Sequence, residues 1–531
     1  MMEAVADGLG MLVTTPIALA AAGGVAWGIL GGALPGISPS ISMALLLPFT
    51  YGMEPHSAIV LLAATYVGAE YGGSIPAILI HTPGTNAAAA TLLDGHPMKL
   101  QGRGGEALGI SLYSGVIGGF VGLLALMALT RPLAELALRF TPMSYFALGV
   151  LGLGVIASLA GPSLLKGLAA GLLGLMVATV GADPVSGVPR FTFGQPDLLD
   201  GVAPILVMVG LFAVSELFLQ AGSLRRRTQR SEFCGVGSRS GGDGPKRRAG
   251  EAFRGAGQPA WNRASSESAR IRWPGARMRR RLLKPQLIGS TVGTLEGVIP
   301  GAGGTIAAFL SYNEARRWSR TPEEFGRGSP EGVAAPETAN NTVAATALVP
   351  LLSFGIPGSN SAAVLLGGFL VHGLLPGPRL FEENADAVVG LYAGLFVANL
   401  SLLVIGGAAL PVCLWLVNRS RPLLMAFIYA LILSGIYSIN GSLFDLGLTL
   451  AAGMAGVVLR VLGFPLLPVV LGVVLGSLVE SNYRRSLLLS GGAHSIFLED
   501  PAAVVLLSLA ALVVVASVGA RVRACLTAER E

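Results

Sequence analysis

Residues 338–378 read TANNTVAATALVPLLSFGIPGSNSAAVLLGGFLVHGLLPGP, a run without one Asp, Glu, Lys or Arg. A helix crossing a hydrocarbon core of roughly 30 Å needs about 20 apolar residues. The run is too long for one crossing, and Pro357-Gly358 divides it. Proline removes a backbone donor and glycine permits non-helical dihedrals. In lipid, the groups freed by such a break must be satisfied by protein or by a watery cavity. The stretch therefore reads as two membrane elements joined at a break that faces a site.

The rest of the chain follows the same grammar. No charge occurs in Gly8–Met53, 71–93, 107–130, 140–165, 387–418, 422–444, 461–479 or 501–520. Charged residues make up 12% of the 531 positions, about half the globular norm, and hydrophobic residues reach 52%. Mean hydropathy is +0.67. Too little charge remains to cover soluble domains. The 74 glycines and 32 prolines, without a triplet period, suit close-packed and interrupted membrane helices. We expect an all-α polytopic membrane protein of about eleven or twelve elements. An outer-membrane barrel would show ten-residue alternation instead.

The net charge of +6 is unevenly held. Residues 225–284 contain 17 of the 36 basic residues and four acids, so this stretch carries +13 and the rest of the chain is net negative. A Gly/Ser/Arg-rich connector of this kind cannot bury a core and is expected to be disordered. It reads as a positive-inside cytoplasmic loop rather than a nucleic-acid site. The expected organisation is a first membrane half over 1–222, the connector over 223–284, a second half over 285–520 and a polar tail over 521–531. Cys234, Cys413 and Cys525 lack metal or disulfide spacing, and no metal cluster is indicated beyond a sodium site. The acidic start suits a retained span better than a cleaved leader. His81 and His494 read as structural.

The breaks recur in order. Gly32-Ala33-Leu34-Pro35-Gly36 answers Gly297-Val298-Ile299-Pro300-Gly301, and Pro83-Gly84-Thr85-Asn86 answers Pro357-Gly358-Ser359-Asn360. Interrupted segments at corresponding places in two halves point to a transporter binding site. We expect two repeat halves, with an inverted arrangement preferred; inversion requires an odd number of crossings per half. Arg277 to Lys284 precede Pro300, and Arg316, Arg317 and Arg320 follow it. With both flanks cytoplasmic, 285–313 forms a re-entrant hairpin with Pro300-Gly301 at its tip, and Glu296 lies in a protein-buried or wet place.

The strings GGALPGISPSISMALLLPFTYGM (31–53), YGGSIPAILIHTPGTNAAAATLLDGHPM (71–98), GTLEGVIPGAGGTIAAFLSYNEARR (293–317) and EEFGRGSPEGVAAPETANNTVAATALVPLLSFGIPGSNSAAVLLGGFLVHGLLPGP (323–378) resemble one family. It is the large membrane subunit of the tripartite tricarboxylate transporters, the TctA family. The resemblance covers about 1–222 and 285–500. It implies a multi-pass bacterial inner-membrane permease that imports small carboxylates such as citrate, driven by an ion gradient. A small membrane subunit and a periplasmic solute-binding protein are the implied partners, with no cofactor. The connector departs from the family in being longer and more basic.

Such a site must meet a carboxylate with donors, yet no Lys or Arg occurs over 71–98 or 332–378. Half-helix N-termini supply unpaired N–H groups and a favourable dipole. The expected substrate residues are Gly84, Thr85 and Asn86 with Gly358, Ser359 and Asn360. Candidates for a coupling sodium are Pro35, Gly36, Ser38, Ser74, Pro300, Gly301, Thr305, Asn340 and Asn341. Glu70, Glu296 and Glu337 are the candidates for carrying a proton instead. Gly72, Gly73, Gly303 and Gly304 read equally well as close-packing residues, and Ser38 and Thr305 as hydroxyls bonded to their own helix.

Three other classes fit the residues less well. No Gly-x-Ser-x-Gly, His-Glu-x-x-His or paired intramembrane aspartates support an intramembrane enzyme. A channel would be expected to draw its filter from repeated subunits or charged rings. A structural subunit of a complex would tolerate loss of Thr85 and Asn360.

Overall fold

The computed structural model describes residues 15–34, 37–159, 163–183, 187–222, 271–300, 303–417 and 421–528. Most of the connector, and with it Pro35, Gly36 and Gly301, lies outside the described residues. The first part of the chain builds α1 (Thr15–Ala33), α2 (Pro39–Leu46), α3 (Pro55–Gly72), α4 (Ser74–Ile80), α5 (Ala88–Leu100), α6 (Gly104–Ala137), α7 (Pro142–Leu159) and α8 (Leu164–Ala178). After a two-stranded ribbon pairing Gly181 with Arg190 comes α9 (Pro204–Gly222). The second part builds α10 (Ala276–Val298), α11 (Gly303–Trp318), α12 (Pro330–Thr346), α13 (Leu348–Phe354), α14 (Asn360–Val371) and α15 (Ala385–Ala408). It continues through α16 (Leu410–Val417), α17 (Arg421–Asn440), α18 (Leu443–Val461), α19 (Leu466–Leu489) and α20 (Pro501–Ala528). Eight of the described helices are long and apolar enough to cross a membrane, and four shorter ones are also apolar.

Burial is sorted as a bilayer requires. Large apolar side chains stand exposed on the outer helices, among them Leu124, Leu172, Val404, Met454 and Val515. A soluble monomer rarely shows so much apolar surface. The polar residues are inside. Every residue of α12 is buried, including Glu337, Thr338, Asn340, Asn341, Thr342 and Thr346. Its threonines bond across helices: Thr342 Oγ1 donates to Gly118 O at 3.0 Å and Thr346 Oγ1 to Gly293 O at 3.1 Å. With no hydrophobic drive between helices in lipid, such bonds and close backbone packing hold the centre together.

Glycines set that packing. A Cβ at Gly24 or Gly28 would lie 2.4 Å from Leu61 O or 2.3 Å from Thr65 O, so α1 presses its backbone onto α3. A Cβ at Gly289 or Gly293 would lie 2.5 Å from Ala335 O or from Ala339 O, and α10 presses onto α12 in the same way. The parallels continue at the breaks. Gly84 N donates to Gly73 O at 3.0 Å, and Gly358 N to Ala347 O at 3.3 Å. Both short helices end on a left-handed residue, His81 at φ 58° for α4 and Gly355 at φ 75° for α13. The charge-free run 71–93 therefore straddles a break, because Pro83-Gly84 stops α4 from continuing into α5.

Helices α10 and α11 form a hairpin whose outer ends meet: Lys284 Nζ donates to Trp318 O, and its ammonium stands 5.8 Å from the indole centroid. The chain thus reverses direction around Pro300, as a re-entrant segment would. Glu296 is half-buried on this hairpin. Single cysteines at 284 and 318 should be labelled by an impermeant thiol reagent from the same face of the membrane. Labelling from opposite faces would refute the re-entrant geometry.

Candidate anion site between four helix starts

A cavity of about 720 Å³ lies where the breaks meet. The first turns of four helices line it: Ser38 to Ile41 at α2, Pro83 to Ala87 leading into α5, Gly303 to Ile306 at α11, and Ser359 to Ser361 at α14. Two come from each part of the chain. Helix starts carry unpaired N–H groups and a partial positive charge, so their gathering around one cavity favours an anion there.

Local chemistry explains why helices start there. Ser38 Oγ accepts from Ile41 N at 3.3 Å and shares a 2.9 Å bond with Ser40. Thr85 Oγ1 accepts from Ala88 N at 3.3 Å, and Ser359 Oγ from Ala362 N at 3.1 Å. The bonds at Ser38 and Ser359 are N-cap bonds, each typically worth about 1 kcal/mol, and the one at Thr85 closes the turn that leads into α5. Tyr66 reaches across to Ser359 with 3.1 Å between hydroxyls. Asn86 and Asn360 are both exposed to the opening. Of the six expected substrate residues, Gly84, Thr85, Asn86, Ser359 and Asn360 line the cavity. Gly358 instead packs behind it, where a Cβ would lie 2.9 Å from Gly297 O.

The sequence reading missed the charged pair in the wall. Arg460, near the end of α18, pairs with Glu216 on α9, and both line the cavity. Helix α9 carries a π turn over Gly210–Val214, and Phe212 on it also lines the cavity. Such turns gather at functional sites. Phe464 to Leu467, entering α19, add apolar wall. The charged lining is Glu70, Glu216 and Arg460, so one carboxylate is in excess once the ion pair is counted.

The candidate ion residues fall into two layers. Ser38 and Thr305 line the cavity. Ser74, Asn340 and Asn341 lie in a buried layer beneath it, while Pro300 sits at the hairpin tip. Asn340 Nδ2 donates to Glu70 Oε2 at 2.9 Å, which ties this layer to the cavity. Ser74 and Thr91 both donate to Glu337 Oε1, and Asn341 Nδ2 donates to Glu337 O at 3.0 Å. Close packing explains Gly72, Gly73 and Gly304, whose added Cβ atoms would lie 2.4 Å from Ile29 O, 2.5 Å from the Thr85 side chain and 2.4 Å from Asn340 Oδ1. Gly303 differs, with φ +70° and open space around it. Among the described residues no three His, Cys, Asp or Glu side chains group as metal ligands.

No solved structure matches the chain. It is 36% identical over 479 residues, 89% of this chain and 88% of the relative, to an Agrobacterium vitis protein named "Uncharacterized 52.8 kDa protein in TAR-I ttuC' 3'region". A second protein from Agrobacterium vitis, "Uncharacterized protein in TAR-II ttuC' 3'region", is 38% identical over 226 residues, covering 42% of this chain and 92% of the relative. The profile of the tripartite tricarboxylate transporter TctA family matches residues 18–471, which include all four helix starts and the Arg460–Glu216 pair. This multi-pass membrane protein belongs to the tripartite tricarboxylate transporter TctA family.

Proposed function

We propose that the chain is the large membrane subunit of a secondary transporter importing small di- or tricarboxylates across the bacterial inner membrane. It works with a small membrane subunit and a periplasmic solute-binding protein, and an ion gradient drives it. The observation that carries this reading is the meeting of four helix starts on one cavity. A helix N-terminus favours an anion by about 0.3–1 kcal/mol when exposed and up to about 2 kcal/mol when partly buried. Neutral donors from Thr85, Asn86, Ser359 and Asn360 add hydrogen bonds without a fixed charge that would slow release. Arg460 supplies the one cationic group of the lining, and Glu216 holds it until a substrate carboxylate competes for it.

The excess carboxylate in the lining supports ion coupling. An anion entering beside Glu70 is disfavoured unless a cation or proton accompanies it. The matched contacts at Gly28 and Gly293, Gly84 and Gly358, and Thr85 and Ser359 support two repeat halves, each giving two helix starts to the site.

Uptake of labelled citrate and related carboxylates is the test, in cells deleted for this chain and in cells with it restored. Thr85→Ala and Ser359→Ala should each lower uptake roughly tenfold, since a lost hydrogen bond to a charged group costs about 1.5–3 kcal/mol. Unchanged uptake in both variants would leave only a structural role. Counterflow in vesicles separates a carrier, which exchanges labelled substrate, from a channel, which only dissipates it.

A further inference from the structure

We propose that Glu337 is the anchor of a monovalent-cation site, sodium by its ligand chemistry, buried between α4, α5, α6 and α12. Glu337 is 1% exposed and meets no cationic side chain among the described residues. Ser74 from α4 and Thr91 from α5 spend their hydroxyl hydrogens on its Oε1 and keep their lone pairs. Its other oxygen, Oε2, has no hydrogen-bond partner. Ser111 of α6 stands beside the same carboxylate and is itself buried.

One turn further along both helices the pattern repeats. Asn341 faces Gly115, where a Cβ would lie 2.9 Å from Nδ2, and Asn341 Oδ1 is again unpartnered. Its orientation is fixed because Nδ2 is committed to Glu337 O. Glu337, Ser111 and Asn341 are each at most 1% exposed. An unpaired buried carboxylate is costly, and so is each unsatisfied buried oxygen. One positive ion beside Oε2 would offset the charge and partner that oxygen, whereas water would bring no charge. Hard oxygen ligands without a cluster of acids suit an ion of single charge.

The place has a mechanical consequence. Ser74 follows Gly73, whose carbonyl receives Gly84 N and whose Cα packs on Thr85. An ion that draws Ser74 and Thr91 to Glu337 fixes the helices on both sides of the Pro83–Asn86 turn. It would thereby pre-form half of the anion site. This coupling rests on the carboxylate reading, but the ion site itself does not.

The test is sodium binding by the purified full chain in detergent without any carboxylate, followed as thermal stabilisation in NaCl against choline chloride at equal ionic strength. NaCl should raise Tm saturably and choline chloride should not. Thr91→Ala and Ser111→Ala should weaken the apparent sodium affinity by roughly ten- to a hundredfold. Glu337→Gln should abolish the response if it folds; the two milder variants decide the matter if it does not. No sodium effect on folded wild-type chain, or an unchanged affinity in Thr91→Ala and Ser111→Ala, would overturn the proposal. So would stabilisation in choline chloride that depends on pH alone. Because no carboxylate is present, failure here leaves the anion site untouched, and failure of carboxylate uptake leaves the sodium result standing.

Discussion

Cells carrying Arg460→Gln are expected to lose carboxylate uptake almost entirely. Two effects add in this variant. The cavity loses its one cationic donor, worth about 1.5–3 kcal/mol to a bound carboxylate, or roughly ten- to a hundredfold. It also gains an unpaired Glu216, which repels the incoming anion and is itself only 21% exposed. The double variant Arg460→Gln/Glu216→Gln separates these. If Arg460 binds substrate, the double variant stays at least about tenfold slower than wild type although no charge is left unpaired. If Arg460 serves only to neutralise Glu216, the double variant transports normally, and that result would remove Arg460 from the site. Glu216→Gln alone frees the guanidinium, so it should lower KM and slow release.

The parts of the site that could be read from sequence are those whose chemistry is local. A Pro-Gly break followed by a hydroxyl and an Asn states where a helix stops and which hydroxyl and amide open the next turn. Thr85–Asn86 and Ser359–Asn360 accordingly line the cavity. Long-range partners left no such mark. Arg460 and Glu216 each stand near the edge of an apolar run and read as helix ends; only the packing of α9 against α18 makes them a pair on the cavity wall. Ser74 and Thr91 lie 263 and 246 residues from the carboxylate they hold. Their hydroxyls read as ordinary helix residues until α4 and α5 are brought to α12. The ion candidates split for the same reason. A list of oxygens within interrupted segments cannot tell the cavity wall from the layer beneath it. One signal was present but masked: Gly24, Gly28 and Gly32 share with Gly289, Gly293 and Gly297 the offset that relates Pro35 to Pro300. In a chain with 74 glycines that spacing does not stand out.

Those glycines carry the largest expected effect on folding. On helix propensity alone, Gly28→Ala, Gly293→Ala and Gly447→Ala would each gain about 0.8–1 kcal/mol. Packing reverses the sign at the first two. A Cβ at Gly28 meets Thr65 O at 2.3 Å and Ala69 N at 2.8 Å, and one at Gly293 meets Ala339 O at 2.5 Å. These neighbours are backbone, which cannot rotate away, so α1 must leave α3, or α10 must leave α12. Overpacking typically costs about 1–3 kcal/mol, and here the displaced helices also lead into α2 and α11, whose starts line the cavity. Gly28→Ala and Gly293→Ala should lower Tm in detergent, and Gly28→Val and Gly293→Val should give little folded protein. Gly447, on the exposed face of α18 with nothing within 4 Å, should accept either side chain without loss. The pair also probes the relation between the halves. Equivalent contacts predict equal losses at Gly28 and Gly293. A large loss at one with none at the other would mean that the matched geometry does not reflect matched roles.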